Sequence, residues 1–221
     1  MITLHHLNNS RSQRVLWLLE ELGVPYEIVR YQRQSNMLAP PELRAIHPLG
    51  KSPVITDNGN TIAESGAIIE YLVETYGNGR LIPQAGTPAR LRFTYWLHYA
   101  EGSAMPPLLM KLIFGLLPKR APLLMRPLVN AISAKVQDTM IDPQLKNHMA
   151  FWEGELGKSE WFAGPEFTAA DIQMSFPLEA ASGRAGLKQG HPKVMAFLER
   201  IHARPAYQRA LQKGGPYSMG G

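Results

Sequence analysis

Cysteine is absent from this 221-residue chain, and the absence removes several chemistries at once. No disulfide can staple the fold, no thiolate can ligate zinc, and no cysteine nucleophile or protein mixed disulfide can form. Long apolar runs are missing as well. None approaches the roughly 20 residues that a membrane-spanning helix needs, so stable membrane insertion is not expected. The opening MITLHHLNNSRSQR lacks the basic start and apolar core of a secretory leader, which makes the cytoplasm the expected compartment. Acid is missing locally. Between Gly102 and Gln137 stand Lys111, Lys119, Arg120, Arg126 and Lys135, with no Asp or Glu. A basic, apolar stretch of this kind suits a membrane surface or an anionic ligand. The simpler expectation, and the preferred one, is a buried helix with solvated basic ends. Aromatic residues are not interleaved with the basic ones, so nucleic acid is not an expected partner. His5 and His6 fall on opposite faces of a strand and cannot share one ion, so no metal site is expected. His47, before Pro48, suits a structural place or the rim of a pocket.

What is present is an ordinary folded composition, 45% hydrophobic and 19% charged, with a formal charge of +5. The length suits one large unit or two small ones. Residues 2–7 alternate as a strand, and Ser12 to Leu22 read as a helix burying Val15, Leu16, Leu18, Leu19 and Leu22, stopped by Gly23. Tyr26 to Tyr31 complete a strand–helix–strand crossover. Pro41 to Ile46 suggest a short helix, and residues 53–56 and 61–63 a hairpin around Asn58-Gly59. A helix from Ser65 to Tyr76 follows. The stretch from Gly77 to Pro88 is rich in Gly and Pro and reads as a linker. Everything beyond it carries helical periodicity. Ala89 to Gly102 is one helix, and Val129 to Leu156 holds long helix that Pro143 bends or divides. Phe167 to Ile172 has the form of a capping box (Thr168 with Asp171) and a hydrophobic staple. A last helix runs from His191 or Pro192 toward Arg204, stopped before Pro205, and the glycine-rich tail from Gly214 is expected to be loose.

The most informative stretch is HPLGKSPVITDNGNTIAESGAIIEYL, residues 47–72. Xaa-Pro bonds alone adopt cis cheaply, and a cis Pro53 would turn the backbone of Ser52 toward a ligand. Glu64-Ser65 stands at the mouth of a helix, with Ser65 the expected N-cap. A helix start offers free N–H groups and a positive dipole end, which bind carboxylate or phosphate. The stretch therefore reads as a small anion-binding device.

Taken in order, Ser10 to Arg14, HPLGKSPVI at 47–55, AESGAIIEYL at 63–72 and FTAADI at 167–172 resemble the cytosolic glutathione transferases over essentially the whole chain. LAPPEL at 38–43 and YAEGSAMPPL at 99–108 look most like the fungal and bacterial subgroup typified by yeast glutathione transferase I. The resemblance implies an α/β plus all-α fold. A thioredoxin-like βαβ-ββα unit would span residues 1–80, a linker 81–87 and a helical bundle 88–210. It also implies a homodimeric detoxification enzyme with no cofactor. The enzyme would use glutathione as co-substrate and a small hydrophobic electrophile as its second substrate.

Residue by residue, the resemblance implies that the backbone of Ser52, before Pro53, pairs with the cysteinyl amide of glutathione. Glu64 and Ser65 would hold the γ-glutamyl end, and Lys51 would face the glycyl carboxylate. Ser10, four residues before Arg14, matches the spacing of serine-type members and would donate to the sulfur. Asn9 is the alternative, because another serine-type group places its hydroxyl one position earlier. Arg11 or Arg14 would add a cation near the thiolate. Tyr99 and Met105 would line the second-substrate pocket, and Glu101 would reach the γ-glutamyl amine of the partner subunit. Two other readings use the same fold: glutathione-dependent peroxide or disulfide reduction, and a non-catalytic interaction module.

Overall fold

The computed structural model describes all residues except 35, 37, 188, 216 and 218–221. Strand β1 (Ile2–Leu7), helix α1 (Ser12–Leu22) and strand β2 (Tyr26–Tyr31) form the crossover, with β1 and β2 parallel and Ile2 opposite Tyr26. Gly23 ends α1 in the left-handed region at φ 69°, where a side chain would be strained. After α2 (Pro41–Ile46), strands β3 (Val54–Asp57) and β4 (Asn60–Ala63) make the expected hairpin. Asn58 and Gly59 both take positive φ, as such a tight turn demands. β3 also pairs antiparallel with β1, so the strand order is β2-β1-β3-β4. Helix α3 (Ser65–Tyr76) follows the sheet.

The described residues after Pro88 form helices and connecting turns. Helix α4 (Pro88–Tyr99) starts at Thr87, whose Oγ1 accepts from the Arg90 N–H at 3.2 Å. It runs through a π turn at Ala100–Ala104 into α5 (Met105–Arg120). Pro106 and Pro107 have no N–H to donate to the preceding turn, which is where an α ladder fails and a π turn takes over. Beyond a 3₁₀ turn (Leu123–Met125) lie α6 (Arg126–Val136), a second π turn (Gln137–Ile141) and α7 (Asp142–Lys158). Pro143 sits in the first turn of α7 and divides the long helix there. Helix α8 (Ala169–Arg184) is the buried centre of this half. The Asp171 carboxylate accepts from the Phe162 N–H and the Thr168 N–H, each at 2.8 Å. That ties the preceding loop to the helix start. The Phe167 ring rests against Trp17 and Trp161.

Three expectations need correction. Pro205 does not end the helices. It opens α10 (Pro205–Gly214) after α9 (Pro192–His202), because proline fits the first helical turn as well as it stops a preceding helix. Nor is Gly214 loose: a Cβ there would lie 2.7 Å from Gln13 Oε1 and 3.0 Å from Leu16 Cδ2, so its bareness lets α10 seat on α1. Gly220 and Gly221 lie outside the described residues. With α10 on its second face, α1 buries Trp17 and Arg14 in addition to its expected aliphatic stripe. The basic α5–α6 segment is also not buried. Leu109, Ile113, Leu117, Leu124, Leu128 and Ile132 are all exposed there, Leu124 at 96%. Among the described residues no helix is long and apolar enough to cross a membrane.

Candidate functional site

A cleft of about 480 Å³ opens where the β1–α1 turn, the residues before β3, the start of α3 and the π turn after α4 meet. Lys51, Ser52, Pro53, Glu64, Ser65 and Glu101 all line it, as does His47. With Arg11, eight of the residues singled out from sequence therefore converge on one cavity from positions up to 90 residues apart. Arg11, Arg33 and Arg44 line it too and make its surface cationic. Sequence reading missed Arg33 and Arg44, which lie in segments without a motif.

The Ser52–Pro53 bond is cis. The β1–β3 register ends at His5 opposite Val54, so the backbone of Ser52 lies beyond the ladder. Its side chain ties the edge instead, donating to the His5 carbonyl at 3.1 Å and accepting from the Leu7 N–H at 3.3 Å. At α3 the cap differs from expectation. Glu64 is the N-cap and Ser65 the first helical residue. Glu64 sits at φ 72°, a left-handed conformation that costs a non-glycine residue about 1–3 kcal/mol. In return both Glu64 and Ser65 line the cavity, beside the unpaired N–H groups of a helix start.

Ser65 is buried, and its Oγ accepts from Arg14 Nη2 at 3.0 Å and from Gln173 Nε2 at 3.2 Å. Arg14 is fully buried, donates to the Gln173 carbonyl at 2.6 Å and pairs with Glu101 at 2.5 Å. Arg11 Nε also donates to Glu101, at 2.8 Å. Burial pushes Arg14 below its ordinary value, with Glu101 opposing the shift. Burial would raise Glu101, but Arg14 and Arg11 outweigh it and hold the carboxylate below its usual range. Glu101 is thus an ion-paired carboxylate presented by a π turn, a feature common at functional sites. The resemblance implied that it reaches across to a partner; here two arginines of its own chain hold it. Arg14, expected near a thiolate, is committed to Glu101 and Ser65.

The β1–α1 turn also departs from expectation. Ser10 is buried and does not line the cavity. Its Oγ accepts from the Ser12 N–H at 3.2 Å, shares a 2.8 Å bond with the Ser12 hydroxyl and donates to the hydroxyl of the cleft residue Ser52 at 3.5 Å. Ser12 Oγ in turn lies 2.9 Å from His6 Nδ1. Ser10 therefore ties together the turn that leads into α1, whose N-cap is Arg11. Asn9 is exposed, in the left-handed region at φ 47°, and its carbonyl accepts from Arg33 of the cavity wall at 3.2 Å.

Tyr99 and Met105 do not line the cleft. Both are buried in the helical half, where the Tyr99 hydroxyl bonds His148 and accepts from Trp152 Nε1 at 3.1 Å. Leu109, one turn beyond Met105 on the same stripe, emerges from that cover and lines the cavity. Leu7, Leu38 and Leu49 supply further apolar lining.

The glutathione S-transferase N-terminal domain family matches residues 1–74, and the glutathione S-transferase C-terminal domain family matches residues 116–205. Glutathione S-transferase 3 of Schizosaccharomyces pombe is 35% identical over 213 residues, covering 96% of this chain and 88% of the relative. Glutathione S-transferase 1 of Saccharomyces cerevisiae is 32% identical over 222 residues, covering 96% and 95%. A solved glutathione S-transferase from Actinobacillus pleuropneumoniae superposes with a TM-score of 0.75 at 32% identity, over 99% of this chain and 94% of that one. The fold, the converging residues and these full-length similarities place the chain in the glutathione S-transferase family, and it is a glutathione transferase enzyme.

Proposed function

We propose that glutathione lies along the cleft with its γ-glutamyl end at Glu64 and Ser65, its cysteinyl amide on the backbone of Ser52 and its glycyl carboxylate at Lys51. The observation that carries this reading is the pairing of a donor-rich helix start with carboxylates in one cavity. The N–H groups and hydroxyl at Ser65 suit the α-carboxylate, and Glu64 beside them suits the α-ammonium. The division into residues 1–80 and 88–210 follows the same logic, since the first part holds the peptide and the second closes over it.

The sulfur is then directed to the β1–α1 turn. A free thiol has a pKa of about 8.5 and attacks only as thiolate. Asn9 is the side chain that donates to it, because Asn9 is exposed and its carbonyl holds Arg33 of the cavity wall, while the Ser10 hydroxyl is buried against Ser12 and Ser52. Arg11 and Arg33 add positive charge. The thiolate attacks an electrophilic carbon, the C–S bond forms, and the leaving group departs with its electron pair. The thiol proton has already gone to solvent. Leu7, Leu38 and Leu109 form the apolar side that receives the electrophile, in place of Tyr99 and Met105. The exposed leucines and isoleucines of α5 and α6 support a homodimer, since apolar patches of this extent mark interfaces. The chemistry requires reduced glutathione and so a reducing compartment such as the cytoplasm.

Titration of the thiolate absorbance of bound glutathione tests the reading. The bound thiol should ionise well below free glutathione, Asn9→Ala should move it back toward the free value, and Ser10→Ala should not. A thiol unshifted on binding would contradict the mechanism.

A further inference from the structure

Both hydrogen bonds at the Ser65 hydroxyl oxygen arrive from donors. Arg14 Nη2 lies at 3.0 Å and Gln173 Nε2 at 3.2 Å. A serine hydroxyl has two acceptor lone pairs and one proton, while a guanidinium and an amide NH₂ have no acceptor to offer that proton. With both lone pairs taken, the proton of Ser65 is left for the cavity. We propose that Arg14 and Gln173 are positioning residues that fix Ser65 as an outward donor, so that this end of the site selects a carboxylate and rejects an ammonium. The proposal rests on the placement of the γ-glutamyl end argued above.

Gln173 is the more telling of the two. It lies on α8, 108 residues from Ser65, and is fully buried. Its backbone carbonyl holds Arg14 at 2.6 Å while its amide holds Ser65, so one residue of the helical half closes both ends of the arrangement. Its Oε1 is buried without a hydrogen-bond partner among the described residues. The opposite amide orientation would give that oxygen the Ser65 proton and turn Ser65 into an acceptor for ammonium. The two orientations therefore demand opposite ligands. Glu101 completes the assembly by neutralising Arg14, so the fixed donor is held without an unpaired buried cation.

The test uses the full-length enzyme with an aryl halide electrophile and three thiols: glutathione, its analogue lacking the α-carboxylate, and its analogue lacking the α-amino group. Gln173→Glu places an acceptor where the donor stood and draws the Ser65 proton inward. KM for glutathione should rise about 10- to 100-fold, the size of a lost hydrogen bond to a charged group, with kcat moving far less. Gln173→Met, apolar and of similar length, should raise KM in the same direction by less. In a Ser65→Ala background Gln173→Met should change nothing further, a result that a merely structural role for Gln173 would not give. The Gln173→Glu penalty should persist with the deamino analogue and vanish with the decarboxy analogue. The reverse pattern, or a Gln173→Met effect undiminished in Ser65→Ala, overturns the proposal. A wild-type rate with no saturable dependence on glutathione would instead bring down the placement of the ligand, and this proposal with it.

Discussion

Ser10 and Ser65 occupy equivalent stations in two strand-to-helix junctions, yet they do opposite work. Both precede or open a helix, both are buried, and the hydroxyl of each is bonded to two other residues. At the β1–α1 turn the partners are Ser12 and, 42 residues away, the Ser52 hydroxyl, so the Ser10 proton has hydroxyl oxygens to go to. At the β4–α3 junction the partners come from α1 and α8, and both donate. Partners that can accept take up a serine's proton; partners that only donate leave it for a ligand. The backbone marks the same contrast, because Asn9 and Glu64 each take a left-handed conformation beside the serine. At the second junction both Glu64 and Ser65 line the cavity.

The sharpest way to break this comparison is to disturb the distant partners. Glu101→Gln leaves Arg14 buried without its carboxylate, which should cost about 3 kcal/mol of stability, read by urea unfolding. A loss near zero would show that Arg14 needs no partner and that the junction is not organised around it. On the other junction, burial holds the His6 ring down to about 4, with Gly214 opposing and Arg30 assisting. Because the folded-state value lies below the ordinary 6.5, this stabilisation is full above pH 6.5 and is lost as pH falls through about 4. The loss amounts to about 3 kcal/mol. Unfolding curves collected across that range should be markedly flatter for His6→Asn than for wild type.

Smaller effects sharpen the contrast between the serines themselves. Ser65→Ala should raise KM for glutathione about 10-fold or more, while Ser10→Ala should leave KM nearly unchanged and cost about 1 kcal/mol of stability through its lost hydrogen bonds. The reverse assignment of these two phenotypes would invert the comparison. Asn9→Ala should raise the pKa of the bound thiol by about one unit, equal to about 1.4 kcal/mol, seen as a shift in the pH–rate profile.

Those junctions were legible in the sequence to different depths. The helices after Ser12 and Ser65 and the hairpin at Asn58-Gly59 were read from local signals, since caps, glycines and prolines act within a few residues. Lys51, Ser52, Pro53, Glu64 and Ser65 were found the same way, as parts of one short stretch. Gln173 was not, because it stands inside a buried helix and meets Ser65 across 108 residues. The resemblance pointed to Ser10 or Asn9 for the sulfur, and spacing alone carries no information about which way the Ser10 hydroxyl turns. Tyr99 and Met105 sit on the correct helical stripe, but how far the cover extends along that stripe is a tertiary fact. Pro205 was taken as a stop because proline ends and begins helices with the same residue.

A crystal structure of the enzyme with glutathione bound tests the central claim most directly. The account expects the α-carboxylate of the γ-glutamyl group within hydrogen-bonding distance of Ser65 Oγ and the sulfur beside Asn9, with the Ser10 hydroxyl still on Ser12. A sulfur bonded to Ser10, or an ammonium where the carboxylate belongs, would contradict it.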